Sequence, residues 1–184
     1  MKIKVPTLET ARLILRMWSR RDAADLYAYA KNPNVGPNAG WKPHADIRES
    51  RMIITQLFQA NTTWAITLRG EGRPIGSIGF EEDQYRPNIK SKELGYSLSE
   101  EYWGQGIMPE AAQELLRHAF EDCGMSRVWC GHYEGNLKSR RVMEKCGMHF
   151  RWKSEGVDVP LMHEKRDGYV FCIEKEEWES QKTK

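Results

Sequence analysis

Two glycines one residue apart, Gly104 and Gly106, stand between a strand-like segment and a strongly amphipathic helix, in Glu101-Tyr102-Trp103-Gly104-Gln105-Gly106-Ile107-Met108-Pro109-Glu110. With no Cβ at either position the backbone can turn tightly and approach a ligand closely. The first amides of the following helix lack intrahelical partners, and the helix dipole adds partial positive charge there. A glycine turn leading into a helix N-terminus is an anion site, most often for phosphate. The chain must therefore end a strand and begin a helix here, and a phosphate-bearing cofactor is the first expectation.

The flanking sequence alternates in type. Residues 11–18 interleave Leu13, Leu15 and Met17 with Arg12 and Arg16, a strand pattern. Ser19 and Asp22 mark a helix start, and Asn32-Pro33 stops that helix near Lys31. Residues 34–44, rich in Gly, Pro and Asn, form a loop. Asp46 caps a second helix carrying Ile47, Ile53, Ile54, Leu57 and Phe58. Strands follow at 63–68, 75–80 and 93–98, with a turn at Gly70-Glu71-Gly72 and a polar connection, 81–91, containing Pro87-Asn88. Pro109 suits the first turn of a helix reaching Asp122, whose apolar face is Ala111, Ala112, Leu115, Leu116, Ala119 and Phe120, with Gly124 as its cap. Residues 128–130 read as a short strand. Asn136 caps a further helix with a buried face of Leu137, Val142, Met143 and Cys146, ended by Gly147. Residues 166–173 alternate as a strand, and 176–180 form a last helical turn. The pattern predicts one α+β domain over residues 1–184, a mostly antiparallel sheet flanked by helices.

Composition removes several function classes. Forty per cent apolar and 29% charged residues are the balance of a globular chain, not a disordered one. No apolar run reaches the ~20 residues of a membrane span, and Met1-Lys2-Ile3-Lys4-Val5-Pro6 lacks the apolar core of a signal peptide, so the expected location is cytoplasmic. A net charge of +2 without a basic, aromatic-interleaved stripe gives no support for a nucleic-acid partner. Cys123, Cys130, Cys146 and Cys172 have no metal-binding spacing and read as small buried apolar residues, so no metal is expected.

The glycine turn is not a P-loop, because no Gly-Lys-Ser/Thr follows it. It matches a dinucleotide fingerprint poorly: position 109 is proline where a third glycine is wanted, and no early parallel βαβ unit surrounds it. A tight structural connection without a ligand remains open on the pair alone.

The wider pattern resembles the GNAT acetyltransferase superfamily. Glu93-Leu94-Gly95-Tyr96-Ser97-Leu98 followed by Tyr102 to Ala111 is similar to its acetyl-CoA-binding motif. Asn136-Leu137-Lys138-Ser139 through Lys145-Cys146-Gly147 is similar to its second motif. Thr10 to Arg16 and Gly76-Ser77-Ile78-Gly79 resemble the branch that acetylates ribosomal-protein N-termini. The resemblance runs from about Thr10 to Trp178. It implies a mixed sheet splayed at the cofactor site, between the fourth strand (93–98) and the fifth, with acetyl-CoA in the opening. It implies cofactor contacts from Tyr96, Ser97 and Leu98, whose backbone pairs with the pantetheine arm as an added strand would. It further implies a pyrophosphate cradle from Trp103, Gly104, Gln105, Gly106, Ile107, Met108 and Pro109, and contacts from Asn136 and Ser139. Trp103 stands where Gln or Arg is usual. Met108 stands where Gly or Ala is usual, so its amide can serve only if its side chain points away from the turn.

Acetyl transfer to a primary amine requires a base, since an alkyl amine with pKa about 10 is protonated at pH 7, and an acid for the departing thiolate. Backbone amides beside the splay would stabilise the tetrahedral intermediate. The resemblance makes Ser139 the acid or orienting donor, with Tyr133 as an alternative. Base candidates are Glu81 and Glu82 at a strand end, with His132 and Tyr133 as rivals. The expected acceptor face is built from 34–44, with Trp41 as platform or loop anchor and His44 beside it, and from 156–164, containing Asp158, His163 and Glu164. The acceptor, a protein N-terminus or a small amine, is not legible. Two other readings are a non-catalytic acyl-CoA sensor or assembly module and a nicotinamide dehydrogenase. The apolar alternation of Tyr169, Phe171 and Ile173 in an exposed strand would permit a homodimer as readily as a monomer.

Overall fold

The computed structural model describes residues 5–59, 62–86 and 90–182; Pro87-Asn88 and residues 1–4 lie outside them. The strands are β1 (Leu8–Glu9), β2 (Leu13–Met17), β3 (Thr62–Leu68), β4 (Pro74–Glu82), β5 (Ser91–Leu98), β6 (Arg127–Tyr133), β7 (His149–Val159) and β8 (Glu164–Glu174). The α-helices are α1 (Ala23–Ala30), α2 (Ile47–Ile53), α3 (Ile107–Arg117), α4 (Leu137–Lys145) and α5 (Lys175–Lys182). The strands form one 8-stranded sheet in the order β1-β2-β3-β4-β5-β6-β8-β7. Among the described residues only β5 and β6 run parallel. Among the described residues no helix is long and apolar enough to cross a membrane.

Side-chain acceptors mark the entries to α1 and α2. Ser19 and Asp22 form a reciprocal cap in the 3-10 turn ahead of α1, the Ser19 amide donating to Asp22 Oδ2 at 2.8 Å. Asp46 Oδ1 accepts from the Arg48 and Glu49 amides at 2.7 and 2.9 Å, opening α2. Each satisfies amides that the helix itself leaves orphaned, worth about 1 kcal/mol.

Strand alternation sorts the core into two layers. Trp64, Ile66, Ile78 and Phe80 face α3, whose buried stripe is Ile107, Met108, Ala111, Ala112, Leu115 and Leu116. On the other face Ala65 packs with Trp18, Leu26, Tyr29 and Ile54, under α1 and α2. Burying each large side chain of these layers contributes roughly 1.5–3 kcal/mol.

One polar anchor sets where α3 begins. Glu110 accepts from Thr10 Oγ1 at 2.5 Å, the Arg12 amide at 2.9 Å and Arg12 Nε at 2.6 Å, tying the first turn of α3 to the entry of β2. Burial pushes the Glu110 carboxyl up, but these bonds outweigh it and hold it below its ordinary value of 4.5. Its stabilisation is therefore present above pH 4.5 and lost as pH falls through the lowered value. Glu110→Ala should lower stability by about 1–3 kcal/mol at pH 7, read as a lower urea midpoint at unchanged slope. The deficit should vanish in strong acid; a deficit that persisted there would mean the carboxylate was not the source.

Several expectations need correction. β7 was not legible in the sequence: it is an edge strand whose residues are mostly exposed, so it lacks apolar alternation. Consequently 156–164 is not a loop but mainly a β7–β8 hairpin, with Asp158 and Glu164 in paired strands and only Pro160–Met162 and His163 turning. β8, which carries Tyr169, Phe171 and Ile173, is not exposed; it is hydrogen-bonded to β6 on one side and β7 on the other. Leu137 is not on the buried face of α4 but 57% exposed, because Ser139 and Met143 define that face. Finally, β5, α3 and β6 do form a parallel βαβ unit around the glycine turn, a pairing of three residue pairs that no local pattern reveals.

Candidate active site

The parallel pair β5–β6 is the point where the sheet opens. The two strands meet only at Ser91–Arg127, Lys92–Val128 and Glu93–Trp129. Beyond Glu93, β5 stays with β4 as far as Leu98 opposite Gly76, while β6 follows β8 to Tyr133 opposite Gly168. Among the described residues the edge of 94–98 that faces away from β4 therefore has no strand partner, and an extended ligand can bond to it. A cavity of about 380 Å³ fills the opening. Tyr96, Ser97 and Leu98 supply one wall, Asn136, Lys138, Ser139, Arg141, Val142 and Lys145 the other, and Val35, Asn38 and Ala39 the roof.

At one end lies the glycine turn. Gly104 and Gly106 both adopt φ of 76°, the left-handed region that a Cβ disfavours, and Gly106 is the N-cap residue of α3 with no side chain to cap it. Trp103, Gly104, Gly106, Ile107, Met108 and Pro109 line the cavity. Gln105 is not among the cavity's lining residues; its backbone carbonyl accepts from Arg12 Nη1 at 3.0 Å and its side-chain Nε2 donates to Glu101 O at 2.8 Å. Met108 is 4% exposed and packs into the core, so its side chain leaves the turn clear. Trp103 Nε1 donates to Leu98 O at 2.9 Å, and Lys138 Nζ sits 3.8 Å from the centre of its ring. The cations Lys138, Arg141 and Lys145 add to the partial positive charge of the helix end, an arrangement suited to phosphates.

At the other end, Tyr96 and Ser139 close the cavity. Their hydroxyls are 2.8 Å apart. Asn136 Oδ1 accepts from the Ser139 amide at 3.2 Å, so Asn136 caps α4 as expected, and its Nδ2 donates to Asn38 O at 3.1 Å. The roof is thereby tied to α4. It is also tied to β8 through Arg166 Nη1, which donates to Pro37 O at 2.6 Å, and to Glu100 through Asn32 and Asn34.

The carboxylates separate by environment. Glu82 has an 89% exposed side chain and pairs with Lys92. Glu81 is exposed on the sheet face that Gly95 leaves open. Glu93 differs. It is the last paired residue of β5, its Oε1 accepts from Tyr85 Oη at 3.0 Å, and its Oε2 is buried without a partner. Burial outweighs the Tyr85 bond, and with Glu81 and Asp83 nearby the carboxyl is raised from 4.5 to about 7. Tyr133 projects from β6 against Gly40, under the Arg166 guanidinium. His132 stacks on Tyr169 at 5.0 Å, with its pKa lowered by burial. Trp41 packs on Gly36 and beside His44, and His44 Nδ1 is bonded to Ser50 Oγ at 2.8 Å, so both hold their loop against α2. His163 is exposed at the hairpin tip. Among the described residues no group of three or more His, Cys, Asp or Glu is placed to hold a metal.

A family model described as an acetyltransferase (GNAT) domain matches residues 12–149. The chain belongs to the GNAT acetyltransferase family. The FsC-acetyl coenzyme A-N(2)-transacetylase of Aspergillus fumigatus is 34% identical over 183 residues, covering 94% of this chain and 78% of that protein. The Bacillus subtilis N-acetyltransferase YoaA is 29% identical over 179 residues, covering 92% and 97%. The crystal structure of ribosomal-protein-S5-alanine acetyltransferase from Vibrio fischeri shares the fold at a TM-score of 0.75 and 18% identity, covering 94% and 98%. GNAT enzymes use acetyl-CoA, and this chain is an acetyl-CoA-dependent acetyltransferase. That sets aside the non-catalytic module and the nicotinamide dehydrogenase.

In this GNAT chain the sequence located the glycine turn and the strand beside the opening, yet passed over three groups. Lys138, Arg141 and Lys145 recur at helical spacing on α4, a signal that could have found them. Val35, Asn38 and Ala39 had no signal beyond lying in the loop. Glu93 had none, because its carboxyl is distinguished only by what buries it.

Proposed function

We propose that this protein transfers the acetyl group of acetyl-CoA to a primary amine, with Glu93 as proton acceptor and Ser139 as the hydroxyl facing the departing sulfur. The observation that carries the reading is the Glu93 carboxyl, raised to about 7 at the vertex of the splay. A base with that value is half ionised at neutral pH and can take a proton from an ammonium group, directly or through water. Glu81 and Glu82, exposed, keep no comparable advantage. Glu81 instead adds negative charge beside the open floor at Gly95, which favours approach of a cation.

The cavity fits acetyl-CoA. The left-handed turn and the α3 N-terminus suit the pyrophosphate, Lys138, Arg141 and Lys145 the remaining phosphate charge, and the edge of residues 94–98 the pantetheine amides. Bound there, the thioester supplies an activated acyl group. Ser139 Oγ, with Tyr96 Oη as its partner, can donate a proton or hydrogen bond at the inner end. Asn136, whose two polar atoms already serve α4 and the roof, orients this wall. The domain is read as one acetyltransferase unit over residues 1–184, cytoplasmic, with an amine acceptor and no metal or nucleic acid.

Relatives differ in acceptor: one is named for a ribosomal-protein alanine and another for FsC. The test is thiol release from acetyl-CoA across an amine library that spans N-terminal Ala and Ser peptides, diamines, aminoglycosides and amino acids. Amine-dependent release with at least one class supports the proposal. Tight coenzyme binding with no release from any class would defeat it.

A further inference from the structure

Tyr96 is the wall at the inner end of the cavity, and its environment decides how much acyl group fits there. The cavity is polar in a directional sense. Its turn end carries the amides that open α3, while the paired hydroxyls of Tyr96 and Ser139 stand at the other. A thioester whose phosphates occupy the first end presents its acyl carbon at the second.

Tyr96 lies on the face of β5 that carries Leu94 and Leu98, and it packs on the α3–α4 core. Its Oη is held 2.8 Å from Ser139 Oγ and 3.3 Å from Ser139 O. Two bonds to one helix residue make the ring a fixed wall rather than a swinging one. The buried cluster that Tyr96 packs against includes the sulfur-bearing side chains Cys130, Met143, Cys146 and Met148. Their relative exposures are 1%, 1%, 5% and 4%, so little space is left for additional methylenes. Yet thiol and thioether groups are soft and adjustable, so they can repack around a guest once the ring is gone.

We infer that Tyr96 limits the acyl group this enzyme transfers to short chains, and that truncating its ring extends the range to longer ones. The inference rests on the acetyl-transfer reading above. The chemistry stays the same for every chain length: the ammonium gives one proton to Glu93, its nitrogen bonds to the acyl carbon, the carbon–sulfur bond breaks, and the second nitrogen proton reaches the departing sulfur through Ser139, so that coenzyme A leaves as the thiol.

The experiment measures thiol release with acetyl-, propionyl-, butyryl- and hexanoyl-CoA and one amine the native protein accepts. Native protein, Tyr96→Phe, Tyr96→Leu and Tyr96→Ala are compared as ratios of kcat/KM between donors, so that a general loss of stability cancels. Native protein and Tyr96→Phe, which keeps the ring, should lose about tenfold or more between propionyl and butyryl donors, as overpacking a filled interior by one or two methylenes would. Tyr96→Ala should raise the butyryl-to-acetyl ratio about tenfold, with Tyr96→Leu between. A native protein that uses hexanoyl-CoA as well as acetyl-CoA would overturn the inference. So would a folded Tyr96→Ala with an unchanged ratio, or a Tyr96→Phe ratio that rises as far as that of Tyr96→Ala. If Tyr96→Ala does not fold, Tyr96→Leu and the native profile decide. A native protein inactive with every donor would instead count against the proposed function, a result distinct from a flat chain-length profile.

Discussion

Glu93→Gln should lower kcat/KM by about 10²–10⁴-fold, the usual contribution of a positioned base, while leaving the protein at least as stable as before. The two effects have one cause. Burial holds the Glu93 carboxyl at about 7, so below that value the base is protonated and idle. The native rate should rise with pH, bend near 7 and then level off; in the variant that bend should be absent. The stability sign follows from the same shift. Between pH 4.5 and 7 the folded state keeps a proton that the unfolded state has released, so native stability falls as pH rises through this window. The accumulated loss is on the order of 3 kcal/mol above pH 7, and glutamine, which cannot ionise, avoids it. Urea titrations at pH 5 and pH 8 should therefore show the variant gaining on the native protein at the higher pH. Full activity in Glu93→Gln would return the base to Glu81 or to solvent.

Gly106→Val should raise the dissociation constant of coenzyme A by about 10–100-fold. Valine at φ of 76° is strained by about 1–3 kcal/mol, and relief of that strain must rotate the amides that open α3. Its Cβ would also meet Arg12 Nη2 at 3.4 Å, and the Arg12 guanidinium holds the turn through Gln105 O. Calorimetry with coenzyme A gives the affinity. The acetyl thioester of pantetheine, which lacks the phosphates, separates a local effect from a general one. Its kcat/KM should change by less than about twofold, since the edge of residues 94–98 is untouched. Equal losses for both donors would show that α3 had unravelled and that the turn holds no phosphate.

Glu93 and Gly106 differ in where their roles are written. Gly106 was legible because its role is local: a left-handed turn, a helix start and a following apolar stripe are all written in consecutive residues. The same holds for Ser19, Asp46 and Asn136, whose capping oxygens act on amides two or three residues away. Met108, which breaks the family habit, lies on the buried stripe of α3, which turns its side chain into the core. The edge strand β7 was invisible because exposed residues carry no alternation, and with it went the true form of residues 156–164.

The sequence by itself determined the junction of β5 with α3, the caps, the order of motifs and hence the family and its coenzyme. These depend on backbone preferences and hydrogen bonds between near neighbours in the chain. Only the tertiary structure decided which carboxyl is raised by burial, which loop roofs the cavity and which side chain stands beside Ser139. Glu81, Glu82 and Glu93 are the same residue type in similar strand contexts; Tyr85, Trp129 and the parting of β5 from β6 distinguish Glu93. Desolvation is a property of what surrounds a group, and the groups that surround this one come from far along the chain.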